Sequence, residues 1–158
     1  MNSKKIEIYT DGSSLGNPGP GGWGTVIIVG DKIEKELGGF EKDTTNNRME
    51  IQAAIEALKY IVKNQKTIDK NIVTINADSA YVLGGVTTWI KNWEKNGWKT
   101  ANKKPVLNKE LWQELISLVR EFKGNLVWNK VKGHSGHIHN DRADEIATTC
   151  AAGKFNLN

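Results

Sequence analysis

The sequence predicts an α/β fold, a five-stranded mixed sheet with helices on its faces. Two β-branched runs, residues 6–11 and 72–78, each end in an aspartate. Three strand-like segments with turn signals between them fill the first 40 residues or so. Beyond them, segments of helical period alternate with strand-like ones. The order is three strands, helix, strand, helices, strand, helix.

Residues 5–11 alternate, with Ile6, Ile8 and Thr10 on one face and Lys5, Glu7, Tyr9 and Asp11 on the other. Five glycines and two prolines among residues 12–22 read as a turn or wide loop that frees the strand end. Residues 24–29 form a second strand. Gly30-Asp31 suits a hairpin turn, and residues 33–38 form an antiparallel third strand with a mostly solvated face. Thr44, Thr45, Asn46 and Asn47 then offer N-cap side chains. Behind them Ile51, Ala54, Ile55, Leu58, Ile61 and Val62 recur at helical spacing, with Glu50 in the first turns. After a helix, the 72–78 run belongs parallel to the first strand, which puts Asp11 and Asp78 at one end of the sheet. Ser79 caps a short helix through Leu83 that Gly84-Gly85 ends, and residues 88–93 form another before a lysine-rich loop. Trp112, Leu115, Ile116, Val119 and Phe122 make a helix stripe, and residues 125–131 a fifth strand. Residues 133–137 form a loop. Asn140 or Asp141 opens a last helix that ends at Gly153. Neither a repeat nor a linker interrupts the chain, so residues 1–158 read as one domain.

Apolar content of 38% and charged content of 25% in 158 residues exclude a disordered chain and permit a sizeable core. No apolar run nears the ~20 residues that span a bilayer, and there is no apolar signal-peptide core. The single cysteine, Cys150, cannot form an internal disulfide and reads as a small buried hydrophobe. A cytoplasmic location is the expectation. Net charge is +4, and six lysines against one acid, Glu94, lie between Thr88 and Lys109. That concentration points to a polyanionic partner.

Four acids stand at special places: Asp11 and Asp78 at strand ends, Glu50 and Asp144 in the first turns of helices. Singly, each reads as a turn residue or a dipole cap. Together they can converge, because strand ends abut helix starts in α/β folds. Two such charges ~4 Å apart repel by about 4 kcal/mol at an effective dielectric near 20. A carboxylate cluster without cysteine therefore calls for a hard cation, Mg²⁺ or Mn²⁺ rather than Zn²⁺. Two tempting signals fail. Gly19–Gly24 fits G-x-G-x-x-G, but a strand rather than a helix follows it. His134, His137 and His139 have no cysteine partner nearby for a zinc site.

Tyr9-Thr10-Asp11-Gly12-Ser13, Thr45-Asn46-Asn47-Arg48-Met49-Glu50, Ala77-Asp78-Ser79 with Tyr81-Val82, and Val131 to His137 with Asp144-Glu145-Ile146-Ala147 resemble, in order, the motifs of type 1 ribonuclease H. The resemblance covers residue 5 to about 152. It implies a ribonuclease H-like fold with the first three strands antiparallel and helices on both faces. It also implies an endonuclease that cuts the RNA strand of RNA/DNA hybrids with two Mg²⁺ ions (Mn²⁺ being possible), leaving 5′-phosphate and 3′-hydroxyl ends. Asp11 would bridge both ions, Glu50 and Asp78 would complete one shell and Asp144 the other. His134 matches the family's loop histidine, which moves a proton or helps product leave. Asn17, Asn46, Asn47 and Glu50 become candidates for minor-groove contacts to the 2′-hydroxyl. Thr45 and Asn108 match a pocket for a DNA phosphate.

Residues 86–104 resemble the family's basic protrusion, with Trp89, Trp93, Trp98 and Lys99 gripping the DNA strand. Trp89 is also expected to pack the protrusion onto the body, and Trp98 to meet the nucleic acid. Two positions depart from the pattern: Asp43, where some relatives carry a basic residue, and Ala80, where relatives often have glutamine. The expected partner is a hybrid duplex, not a membrane, and the expected state a monomer. A non-cleaving hybrid-binding module of the same fold is the alternative. A DNA nuclease or strand-transfer enzyme on a related fold is a third class.

Overall fold

The hydrophobic alternation of residues 6–10 makes the first strand the centre of the molecule. In the computed structural model, which describes residues 5–68, 72–132 and 137–154, β1 (Ile6–Ser14) pairs antiparallel with β2 (Gly19–Val29) and parallel with β4 (Val73–Ala77). The hairpin partner β3 (Lys32–Thr44) closes one side, and β5 (Leu126–Lys130) runs parallel to β4 on the other. The sheet order is β3-β2-β1-β4-β5, with the first three strands antiparallel, as the sequence predicts.

Strand periodicity divides the core between two faces. Ile6 and Ile8 pack with Ile51, Ile55 and Leu58 of α1 (Asn46–Lys63) and with Trp112 and Leu115 of α4 (Lys109–Glu121). Tyr9, Val26 and Ile28 face the other way, onto Ala143, Ile146 and Cys150 of α5 (Ile138–Ala151). Arg142 of α5 reaches Glu36 on β3 with its Nε at 2.6 Å, which ties that helix to the sheet edge. Among the described residues no helix is long and apolar enough to cross a membrane.

Several expectations are corrected. Of the turn or wide loop expected over residues 12–22 only a short turn at 15–18 is found: β1 continues to Ser14, β2 begins at Gly19, and Ser14 pairs with Gly21. The glycines serve packing. A Cβ at Gly22 or Gly24 would overlap the backbone of α5 at Ala151 or Ala143, so the bare strand is the seat of that helix. β3 likewise runs well past residue 38, its extra length paired with the glycine half of β2.

Gly84-Gly85 does not end a helix. Ser79 caps α2 (Ala80–Gly84), accepting from Val82 N at 3.1 Å. The chain then continues through a π-helical turn (Gly85–Trp89) into α3 (Ile90–Lys95). Both glycines keep right-handed helical dihedrals. A side chain at Gly85 would collide with the Trp112 ring and one at Gly84 with the Trp89 ring. Close packing of tryptophans, not helix termination, is what these glycines permit.

Finally, α5 opens at Ile138 rather than at Asn140 or Asp141, with Asp141 N bonded to His137 O at 2.8 Å. The Tyr9 ring stacks on His137 at 4.9 Å and lies 5.6 Å from His139, holding those residues against the sheet as the helix starts. Asp144 therefore sits in the second turn, not the first, and so does Glu50 in α1, which begins at Asn46. Of the expected loop at residues 133–137, residues 133–136, with His134, lie outside the described residues.

Candidate active site

Asp11 owes its position to a mismatch between its two neighbours. On the β2 side it is still paired, opposite Gly24. On the β4 side the last parallel pair is Thr10 with Ala77, and Asp78 follows directly. The two aspartates thus stand together where the parallel pairing of β1 and β4 ends, Asp11 still inside its strand and Asp78 just past its own. Glu50 arrives from above. Gly12 faces α1, and a Cβ there would overlap the Glu50 and Met49 backbone, so only glycine lets the helix come down onto β1. The Gly12 N–H donates to Asp11 Oδ1 at 2.8 Å and to Glu50 Oε1 at 2.6 Å. Asp144 is delivered by α5, which rests on Gly22 and Gly24, and lines the same cleft as Asp11.

One carboxylate oxygen each from Asp11, Glu50 and Asp78 lie within 4.8 Å of one another. With Asp144, Gly12, Ser13, Asn46 and Ser79 they line an open cleft of about 390 Å³. Asp11 is 8% exposed and Glu50 5%, so neither charge is well hydrated. Burial first, and then the neighbouring Asp78 and Asp144, push the Asp11 carboxyl up to about 7, against an opposing hydrogen bond with Glu50. Burial and then Asp11 itself hold Glu50 well above the usual carboxylate range. Both carboxyls thus hold a proton more readily than a solvated carboxylate does. A divalent cation can take that proton's place, and an all-oxygen donor set with no soft ligand fits Mg²⁺ or Mn²⁺.

The other expected site residues fall into two groups. Asn17, Thr45, Asn46 and Asn47 gather on one side of the cleft. Asn17 Oδ1 accepts from Ser14 Oγ at 3.2 Å and from Asn46 N at 2.9 Å, tying the β1–β2 turn to the start of α1. The Thr45 hydroxyl caps that helix, accepting from Arg48 N at 3.2 Å. Asn46 and Asn47 are exposed. Asn108, 8% exposed with φ 61°, precedes α4. Its Oδ1 accepts from Arg48 Nη1 at 3.1 Å and its Nδ2 donates to the Tyr81 hydroxyl at 3.1 Å.

The tryptophans form a second group beyond Asn108. Trp89, Trp93 and Trp98 contact one another in series, with ring centroids 6.0 and 5.9 Å apart, and Trp93 rests on the buried Trp112 at 5.7 Å. Trp89 is 37% exposed and, with Tyr81, Trp93 and Leu107, walls an apolar hollow of about 370 Å³. Trp98 is half-buried, and Lys99 is exposed. Of the aromatic rings expected to pack or to bind, Trp89 is thus the open one. Gly12, Arg48 and Tyr81 lie inside the motifs quoted from the sequence, but residue type alone does not single them out as site residues. The signal for Gly12 was its place directly after Asp11, and for Arg48 its place one turn after a capping threonine.

A mixed sheet of this order, with four acids at the end of its parallel strands and two of them buried, defines a metal-dependent phosphodiester hydrolase. The ribonuclease H family model matches residues 3–152. The chain belongs to the ribonuclease H family. It is 52% identical over 144 residues to a ribonuclease H of Hydrogenovibrio crunogenus, which covers 91% of this chain and 93% of the relative. Among solved structures, LC9-RNase H1, described as a type 1 RNase H with the type 2 active-site motif, aligns with a TM-score of 0.80 at 32% identity, over 99% of this chain and 76% of that one. LC11-RNase H1, solved in complex with an RNA/DNA hybrid, aligns with a TM-score of 0.69 at 30% identity, over 94% and 98% of the two chains.

Proposed function

We propose that this chain hydrolyses the RNA strand of RNA/DNA hybrids by a two-metal-ion mechanism, leaving 5′-phosphate and 3′-hydroxyl ends. The observation that carries the reading is the convergence of Asp11, Glu50, Asp78 and Asp144 on one cleft with the first two buried. The solved complex of LC11-RNase H1 with a hybrid supports the choice of duplex.

Asp11 is central to the group and would touch both ions. Glu50 and Asp78 would hold one, and Asp144 the other. When bound, the ions supply an activated water on one side of the scissile phosphate and charge neutralisation of the leaving oxygen on the other. The protein supplies rigidity. The Gly12 N–H holds one oxygen each of Asp11 and Glu50, leaving the remaining oxygens for ligation. Burial keeps bulk water from screening Asp11 and Glu50, so an entering cation would stabilise their ionised forms. Asn46 and Asn47 offer exposed amides beside the cleft, suited to minor-groove edges and 2′-hydroxyls. His134 is the proton carrier in this reading.

The lysine-rich region of about 86–104, with Trp89 at its base, grips the DNA strand through phosphates and stacking. The protein acts as a single catalytic domain and a monomer, in the cytoplasm. The test is to incubate labelled hybrid, duplex DNA and duplex RNA with Mg²⁺ and either wild type or Asp11→Asn. Cleavage of the hybrid RNA alone, lost in the variant, is expected. Binding without cleavage would make the protein a hybrid-binding module, and cleavage of duplex DNA would make it a DNA nuclease.

A further inference from the structure

Beside the carboxylate cleft the structure holds a second cluster of polar groups, between the start of α1 and the start of α4. Arg48 Nη1 donates to Asn108 Oδ1 at 3.1 Å and to Glu110 Oε1 at 2.6 Å. The Asn108 side chain cannot turn freely. Its amide donates to the Tyr81 hydroxyl, and that hydroxyl also accepts from Trp112 Nε1 at 3.3 Å. Thr45 shares the α1 turn with Arg48 through the capping bond to its N–H. Arg48 and Asn108 are therefore positioned on a rigid frame. Glu110 is less constrained: its side chain is 65% exposed, and besides Arg48 its carboxylate is met only by its own backbone N–H at the first turn of α4. Arg48 keeps the Glu110 carboxyl below its usual range, so the group is an anion at working pH.

An exposed anion thus lies on the one guanidinium of a fixed pair of phosphate-seeking groups. A carboxylate and a phosphate ask for the same donors from an arginine. We propose that Glu110 is an internal competitor for a backbone phosphate of the bound duplex: its carboxylate must leave Arg48 before the phosphate can take the guanidinium. This rests on the hybrid-binding reading above. Glu110 is then a residue that limits affinity and takes no part in chemistry. Its release leaves a negative charge near the phosphate, which weakens the electrostatic share of binding without touching the carboxylate cleft.

The test is fluorescence anisotropy of a labelled RNA/DNA hybrid without divalent metal, over a range of salt. Wild type, Glu110→Gln, Glu110→Asp, Arg48→Ala and the Arg48→Ala/Glu110→Gln pair are compared. Glu110→Gln is expected to bind about two- to five-fold tighter, the scale of one exposed ion pair. Its log–log salt dependence should steepen by up to about 0.9. Glu110→Asp should stay near wild type, and Arg48→Ala should bind more weakly. In the Arg48→Ala background, Glu110→Gln should do little, because the guanidinium it competes for is gone. A structural role for the pair would not move the salt slope. Equal affinity and slope for wild type and Glu110→Gln, or the same gain with and without Arg48, overturns the proposal alone. Failure of the wild type to bind hybrid at all overturns the functional reading and this proposal with it.

Discussion

Removing the Asp11 charge should stabilise the metal-free protein while abolishing catalysis. The carboxyl, ordinarily at 3.8, is pushed up to about 7 in the fold by burial and by Asp78 and Asp144. An acid whose value is raised on folding binds its proton more tightly in the native state than in the unfolded chain. Its contribution to stability is complete below 3.8 and is lost as pH rises through about 7. At about 1.4 kcal/mol per pH unit, the full loss is about 4 kcal/mol, an upper bound because Asp11 and Glu50 titrate as a pair. Asparagine keeps an oxygen for the Gly12 N–H and gains an amide that can donate to Glu50. Urea unfolding in EDTA reads the effect. At pH 8 Asp11→Asn should be more stable than wild type, by up to about 4 kcal/mol, and the gap should narrow towards pH 5. Millimolar Mg²⁺ should stabilise the wild type and leave the variant unchanged. An Asp11→Asn midpoint at or below wild type at pH 8, or a gap that does not change with pH, refutes the reasoning.

Four further outcomes follow from the packing and the expected grip. Gly12→Ala should push α1 away from β1, costing about 1–3 kcal/mol in urea melts and lowering kcat on the order of 100-fold through a displaced Glu50. Tyr81→Phe removes the acceptor for Asn108 and for the fully buried Trp112, and should cost about 1–3 kcal/mol of unfolding free energy with the metal response intact. Trp89→Ala should weaken hybrid binding by about 1–3 kcal/mol at an unchanged salt slope, whereas Lys99→Ala should make that slope shallower by up to about 0.9, both read by anisotropy.

The motif around His134 is legible in the chain as a resemblance, but the place of that histidine relative to the carboxylates is not a property of local sequence. Gly84-Gly85 shows a second such limit. Glycine pairs end helices when nothing else acts on them, and here the Trp112 and Trp89 rings fill the space their missing side chains leave, so the helix runs on. Competition between a local preference and a distant ring cannot be resolved without knowing that the ring arrives.

Sequence by itself determined the element order, the mixed sheet and the family. Each follows from local period or from ordered motifs, and local period decides which face of a strand or helix is apolar. It also singled out the four acids by their places at strand ends and near helix starts. Tertiary structure alone decided that the acids meet. Asp11 is not at the end of its strand but at the end of its parallel pairing, a distinction that exists only once β4 lies beside β1. Glycines that read as a turn became the seats for α1 and α5, and those seats bring Glu50 and Asp144 to the cleft. Side chains are absent where backbones must touch, and backbone contact between segments distant in sequence leaves no periodic trace in either of them.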